Sequence, residues 1–236
     1  SHPRSERNLT PQGSYARFPR RLMRIQTMSH SSYPRVGDSV RLQGLRRTHE
    51  QWERGIKSVE DLRASQDLAV LEAIMEQDKT GLDLATDGLI RWTDPISHLL
   101  RDRVGVEVNG LLRYFDTNFY VRQPILSSRT INGASRLKEE YLYARSLTHT
   151  PVKPVVMGPL TLAHHSIWKS PVFENLEDAA EVLAKPVATE VKALAEAGAE
   201  WIQIEEPSLA KKDVDIRRYK ALFKPIVTAK GKAKLI

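Results

Sequence analysis

The stretch Ala197-Gly198-Ala199-Glu200-Trp201-Ile202-Gln203-Ile204-Glu205-Glu206-Pro207 indicates the fold most directly. An Ala-rich helix over residues 175–197 stops at the glycine, and the alternation of apolar and polar residues that follows is typical of a β-strand. Period 2 places Gln203 and Glu205 on one face of this strand and the two isoleucines on the other. The strand ends at Pro207, because proline has no N–H to donate to a neighbouring strand. A helix that leads at once into a strand predicts a parallel sheet covered by helices.

Strands and helices alternate on both sides of this stretch. Upstream, residues 152–157 form a Val-rich strand, residues 82–86 form an earlier one, and a short first strand ends within residues 33–37. Downstream, residues 232–236 indicate the opening of a fifth strand. Helices are predicted at residues 42–52, 58–80, 96–100, 135–146, 175–197 and 215–223 and from Pro159 onward, with β-like runs at residues 104–108 and 111–115.

The positive charge of the chain is confined to its two ends. The formal net charge is +7, but residues 1–30 hold six Arg and one Glu, and residues 211–236 hold nine Lys or Arg and two Asp. The body between them is therefore acidic and has no reason to attract phosphates. We expect no nucleic-acid partner, although a basic-tailed nucleic-acid binder is kept as a rival class that retention on DNA at moderate salt would favour.

Composition excludes further classes. The chain has no cysteine, so it forms no disulfide and offers no thiolate to a metal. No stretch approaches the roughly 20 apolar residues that span a bilayer. Residues 1–30 have no period and no apolar core of the kind that a secretory signal needs, so we interpret them as a flexible basic leader. Residues 31–236 then form one domain, and a cytoplasmic location without membrane contact is expected.

Polar, turn-forming sequences follow four of the predicted strands. They are residues 35–38, Thr86-Asp87-Gly88, residues 158–161 and residues 203–207. Because the carboxyl ends of parallel strands surround the active site in an αβ barrel, these four segments predict one site.

The same segments resemble the cobalamin-independent methionine synthases. Residues 33–37 and Arg113-Tyr114-Phe115-Asp116-Thr117-Asn118-Phe119-Tyr120 are similar to that family's amino-terminal barrel, and residues 153–161 and 197–207 match motifs shared by both of its barrels. The resemblance covers about residues 31–236. It implies a TIM-type (β/α)8 barrel of the α/β class, of which this chain supplies about the first half. Half a barrel leaves a strand edge open, so we expect a chain that is marginally stable, homo-oligomeric or completed by further residues.

The resemblance also implies a chemistry. In this family zinc binds homocysteine as a thiolate, which then takes a methyl group from a folate. A metal-bound thiol is deprotonated at neutral pH and ready to attack. The family's ligands, a His-x-Cys, a Glu and a later Cys, map beyond Ile236, so no metal ligand is expected in this chain. By itself the chain is expected to have little methyl-transfer activity.

Site residues follow from the same likeness, position by position. The carboxylate that binds homocysteine falls on Glu205, with Gln203 beside it. The family's Ile-Gly-Ser, which holds the amino acid, maps onto Val36, Gly37 and Asp38. Its second carboxylate aligns with Leu89, so that Asp87 would have to stand in for it.

Contacts with the methyl donor are implied at Arg113, Asn118 and His165. Arg113 replaces a folate-contacting Lys and His165 replaces a Trp, while a further Lys has become Gln43. These departures leave the donor open between a folate and a methylated corrinoid protein, which is the donor of a shorter, single-barrel relative.

Several of these residues also have an ordinary structural explanation. Glu205 could form ion pairs at a barrel rim, and Asp87 before a glycine is common in turns. Residues 116–118 could form a cap or a turn, and His164 and His165 point about 100° apart on a helix, which disfavours one shared metal. For the whole chain, the alternative is a non-catalytic barrel domain that only binds or positions the methyl donor.

Overall fold

The computed structural model describes residues 25–35, 37–168, 171–211 and 216–236. Residues 1–24 of the leader predicted over residues 1–30 lie outside the described residues. Val36 also lies outside them.

Within the described residues, five segments run parallel and lie side by side in chain order. Met28 pairs with Leu84, and Ala85 pairs with Val152. From there β3 (Val155–Met157) pairs with β5 (Trp201–Glu205), which pairs with β6 (Lys234–Leu235). This arrangement confirms the α/β class with parallel strands.

The first parallel segment begins earlier than the sequence suggested. Its ladder contacts lie at Thr27 to Ser29, where Thr27 O accepts a hydrogen bond from Leu84 N (3.2 Å) and Ser29 N donates to Leu84 O (3.4 Å). The strand predicted to end within residues 33–37 was therefore placed too late. The cause is that Gln26, Thr27 and Ser29 give this segment no apolar alternation, and its pairing is short.

Helices separate the parallel segments and begin and end largely where local signals predicted. Their bounds are α1 Val40–Glu53, α2 Val59–Thr80, α3 Ser97–Leu100, α4 Leu137–Ser146, α5 Pro159–His164, α6 Leu176–Glu196 and α7 Ile216–Ala229, with a 3₁₀ turn at Pro207–Ala210. Ser58 caps α2 in a reciprocal capping box and Gly81 ends it at φ 70°, while Asn175 caps α6. None of the described helices has the length and apolar character needed to cross a lipid bilayer.

A β-hairpin interrupts the alternation between α3 and α4. Its strands are β1 (Val106–Arg113) and β2 (Tyr120–Leu126), and β2 also pairs in parallel with the short β4 (Ile167–Trp168). The two predicted β-like runs are thus mostly one strand, bulged where Gly110 adopts φ 40°. β2 was not predicted, because Arg122-Gln123-Pro124 in its middle obscures the alternation.

A buried ion pair joins α6 to the start of α4. Glu190 on α6 is fully buried and accepts a hydrogen bond from the Arg103 guanidinium. The same carboxylate accepts from Ser135 Oγ (2.6 Å), Arg136 N (3.2 Å) and Leu137 N (3.3 Å). Glu190 therefore satisfies amide donors at the first turn of α4 that the helix itself leaves without partners.

Candidate functional site

A cleft of about 350 Å³ lies at the carboxyl ends of the parallel segments. Its apolar wall consists of Tyr33, Leu89, Trp92, Pro95, Tyr114 and Phe119. Its polar groups come from Ser31, Ser32, Arg35, Asp94 and Glu205. A largely apolar cleft with a few convergent polar groups is the usual form of a small-molecule site.

Glu205 ends β5 and brings a carboxylate to this cleft. Its Oε1 accepts a hydrogen bond from Gln203 Nε2 at 3.0 Å, and His30 Nδ1 lies 3.7 Å from the same oxygen. Ile202, on the opposite face of the strand, is fully buried. The predicted alternation along this strand is confirmed, and the predicted site residues Gln203 and Glu205 lie in contact.

The carboxylate of the neighbouring Glu206 binds the start of α5. It accepts hydrogen bonds from Leu160 N (3.0 Å), Thr161 N (2.6 Å) and the Thr161 hydroxyl, all at the start of α5. A Cβ on Gly158 would clash with the Glu206 carboxylate, so a larger residue here would displace that side chain. Burial raises the pKa of the Glu206 carboxyl. Glu206 thus anchors α5, while Glu205 faces the cleft.

Arg35 supplies a cation to the cleft. Its guanidinium donates to the carbonyl oxygens of Trp92 and Thr93. The nearby Asp94 accepts from Ile96 N (2.9 Å) and Ser97 N (2.7 Å) at the start of α3, so its carboxylate is already engaged by backbone donors. The cleft therefore presents a cationic and an anionic group, Arg35 and Glu205.

The tip of the β1–β2 hairpin forms one side of the cleft. Thr117 Oγ1 donates to Tyr114 O at 2.6 Å, which confirms the turn interpretation of residues 116–118. The Tyr114 ring lies 4.9 Å from the His165 ring. Burial, together with the negative charges of the two glutamates at the end of β5, raises the pKa of Tyr114 to about 12. The phenol therefore keeps its proton at neutral pH and can donate a hydrogen bond.

The three residues expected to contact a methyl donor are not on the cleft lining. Arg113 Nη2 donates to Asn118 Oδ1 at 3.2 Å, and both side chains are exposed beside the hairpin tip. His165 is only 2% exposed, with its Nδ1 3.0 Å from Thr161 O, and burial lowers its pKa. His165 therefore packs against the Tyr114 ring and does not line the cleft.

Asp87 lies in a separate cavity. It is 8% exposed, accepts from Leu89 N at 3.0 Å, and lines a space of only about 10 Å³ together with Glu140 and Tyr141 of α4. Leu89 and Trp92 line both this cavity and the cleft, and so separate the two. Burial first, then the negative charge of Glu140, raises the pKa of Asp87 to about 6. The structure does not bring Asp87 to Glu205, because its side chain faces α4.

Gly37 and Asp38 also lie off the cleft lining. They precede Ser39, the N-cap of α1, and the Asp38 side chain is exposed. Ser31 and Ser32 line the cleft instead, because the first parallel segment ends before them. The Thr86 hydroxyl donates to Ser31 O at 2.8 Å and fixes that turn. The sequence signal that was missed is the Ser-Ser pair directly before Tyr33.

The family model described as Cobalamin-independent synthase, Catalytic domain matches residues 28–230. The chain belongs to this family. Its resemblance to the cobalamin-independent methionine synthases is thereby confirmed, and the matched model is that of the catalytic domain. Relatives within the family include a methionine synthase of Sulfurisphaera tokodaii, 31% identical over 175 residues, and one of Saccharolobus solfataricus, 31% identical over 182 residues. These alignments cover 74% and 77% of this chain but 51% and 54% of the relatives, so the chain spans about half their length.

Solved structures show the same fold. A B12-independent methionine synthase from Shewanella sp. W3-18-1, in complex with selenomethionine, is 20% identical with a TM-score of 0.66, covering 76% of this chain and 52% of that one. A putative vitamin-B12 independent methionine synthase from Listeria monocytogenes is 19% identical with a TM-score of 0.61, covering 87% of this chain and 64% of that one.

A zinc ion, which the cobalamin-independent synthase family implies, does not fit the residues described. The chain has no cysteine. Among the described residues, no group of three His, Asp or Glu side chains could hold a metal ion.

Proposed function

We propose that this chain is part of a methyltransferase that moves a methyl group to homocysteine, and that its cleft binds the amino-acid substrate. The observation that carries the proposal is the Glu205 carboxylate, which lines a small aromatic-walled cleft at the end of a parallel strand. Methionine synthases among the relatives, and the match to a catalytic domain, favour an enzyme over a non-catalytic barrel domain.

The parallel segments support a barrel origin for this cleft. We infer that the five described segments, in chain order with helices between them, are the first part of a (β/α)8 barrel. In such barrels the site lies at the carboxyl ends of the strands, where Glu205 and Ser31 stand here. The remaining strands would come from residues outside this sequence.

Charge and shape suggest how the substrate lies. The ammonium group of homocysteine would pair with Glu205, and its carboxylate would face Arg35 and the serines 31 and 32. The thioether or thiol end would lie against the aromatic wall, with Tyr114 and Phe119 excluding water. A relative whose structure holds selenomethionine supports an amino acid of this size as the ligand.

Zinc and the methyl donor remain predictions. Zinc would make the substrate thiol nucleophilic when bound, and the resemblance implies ligands for it beyond Ile236. The donor stays open between a folate and a methylcorrinoid. Arg113 and Asn118, being exposed beside the hairpin tip, would meet a donor only at the rim, and His165 would act through Tyr114. Asp87 is given no ligand contact.

The proposal is tested by calorimetric titration of the purified chain with L-methionine, which needs neither metal nor methyl donor. Wild type should bind, and Glu205→Gln should weaken binding by at least about tenfold, because the ammonium loses its charged partner. Glu196→Gln, which removes an exposed carboxylate of α6 paired with Lys192, is the matched control and should bind like wild type. Absence of binding by wild type, or unchanged binding by Glu205→Gln, would contradict the proposal.

A further inference from the structure

A lysine lies buried inside the parallel sheet. Lys153, just before β3, is 0% exposed, although lysine is almost never fully buried unless its charge is paired. Its Nζ donates to His30 O at 2.7 Å and to Gln203 Oε1. The ammonium group therefore joins the first, third and fourth parallel segments beneath the cleft.

The chemistry of lysine fixes the orientation of the Gln203 amide. An ammonium group only donates, so Gln203 must turn its oxygen toward Lys153. Its Nε2 then faces Glu205 and donates to Oε1 at 3.0 Å. Without Lys153, the amide could turn over and present its oxygen to the carboxylate, which would be repelled.

The charges around Lys153 fit this arrangement. Burial lowers the pKa of Lys153 to about 8, and the negative charge of Glu205 opposes that shift. The amine is thus still mainly protonated at neutral pH. His30, whose carbonyl Lys153 holds, carries the imidazole that lies 3.7 Å from Glu205 Oε1. The ammonium group thus binds the Gln203 amide oxygen directly and the backbone of His30 through its carbonyl.

We infer that Lys153 is a positioning residue for the amino-acid substrate, which acts through Gln203 to hold the Glu205 carboxylate where it receives the substrate ammonium. This inference rests on the proposed function, because it assumes that Glu205 binds the ligand. Lys153 itself touches no substrate.

A double-mutant cycle on L-methionine affinity tests the inference. Lys153→Met shortens the side chain by one atom and removes its donors, and Gln203→Met removes the amide. Each should weaken methionine binding by about three- to tenfold, as expected for the net loss of one ordinary hydrogen bond. The double variant should bind methionine no more weakly than either single variant, because both substitutions remove the contact between Lys153 and Glu205 that runs through Gln203. Lys192→Met, on the exposed face of α6, is the matched control.

The outcomes separate the two proposals. If wild type binds and Glu205→Gln weakens binding, but Lys153→Met binds like Lys192→Met, the positioning role is wrong while the proposed function stands. Full additivity of the two Met substitutions would also overturn the inference, since Lys153 would then act without Gln203. If wild type binds no methionine, both proposals fall.

A measurement on wild type covers the case in which Lys153→Met does not fold. Lysine labelled with ¹³C at Cε should show one signal with a pKa of about 8, and this signal should shift when L-methionine is added. A signal that titrates there but ignores methionine, while methionine binds, would overturn the inference.

Discussion

Two acid groups at the carboxyl ends of the second and the fourth parallel segments differ in what surrounds them. Glu205 lines the cleft and is held by an amide, whereas Asp87 lies in a cavity of about 10 Å³ next to another carboxylate, Glu140. Both acids lie where a parallel segment ends, but one side chain faces the cleft and the other faces α4. An acidic residue at the end of a strand is therefore a site residue only if it also points to the correct face.

The largest effect is expected at Glu206, the carboxylate after β5 that anchors the start of α5. Glu206→Ala should lower the free energy of unfolding by about 3 kcal/mol, because the donors at the start of α5 lose their acceptor. Urea unfolding followed by circular dichroism measures this. Gly158→Ala should cost a similar amount in wild type and much less in the Glu206→Ala background, since its clash is mainly with the Glu206 side chain. A loss below about 0.5 kcal/mol for Glu206→Ala would show that this carboxylate does not anchor the helix.

The ionised Asp87 carboxylate should destabilise the folded chain, unlike the carboxylate of Glu206. Its pKa rises from 3.8 to about 6 on folding, so its contribution to stability is complete below pH 3.8 and is lost as the pH rises through about 6. Asp87→Asn should therefore stabilise the chain at pH 7 by about 2 kcal/mol and have almost no effect at pH 3.5.

Thermal and urea unfolding of wild type and Asp87→Asn at both pH values check this expectation. Methionine affinity should be unchanged in this variant, in contrast to Glu205→Gln. A large loss of affinity would place Asp87 at the ligand and remove the distinction between the two acid groups.

The smallest effect is expected at the hairpin tip. Tyr114→Phe keeps the ring against His165 and removes the hydroxyl, so methionine affinity should fall by only about threefold. Tyr120→Phe, at an exposed tyrosine that starts β2, is the matched control. A loss of tenfold or more in the same titration would make the phenol a ligand contact as important as Glu205.

Local signals predicted the helices and much of the sheet. Ser58, Gly81 and Asn175 act on their own backbone within a few residues, so their effect can be read without knowing what packs nearby. The alternation in β5 was equally local, and it placed Gln203 and Glu205 together correctly.

Features set by distant partners were not foreseen. The pairing of Thr27 to Ser29 depends on Leu84, which lies more than 50 residues away, and the side on which Asp87 falls depends on α4. Lys153 stood in a recognised motif, but nothing near it in the sequence shows that its partners are His30 and Gln203. One signal was present, namely a lysine at the start of a Val-rich buried strand.

The Glu190 carboxylate limits local unfolding at the first turn of α4. It holds the amides of Arg136 and Leu137 together with the Arg103 guanidinium, and a buried cation cannot be left uncompensated. The first turn of α4 therefore cannot fray on its own, as helix ends usually do. Hydrogen exchange at these two amides should report the cooperative loss of α6 packing, and should be as slow as exchange in the interior of the sheet.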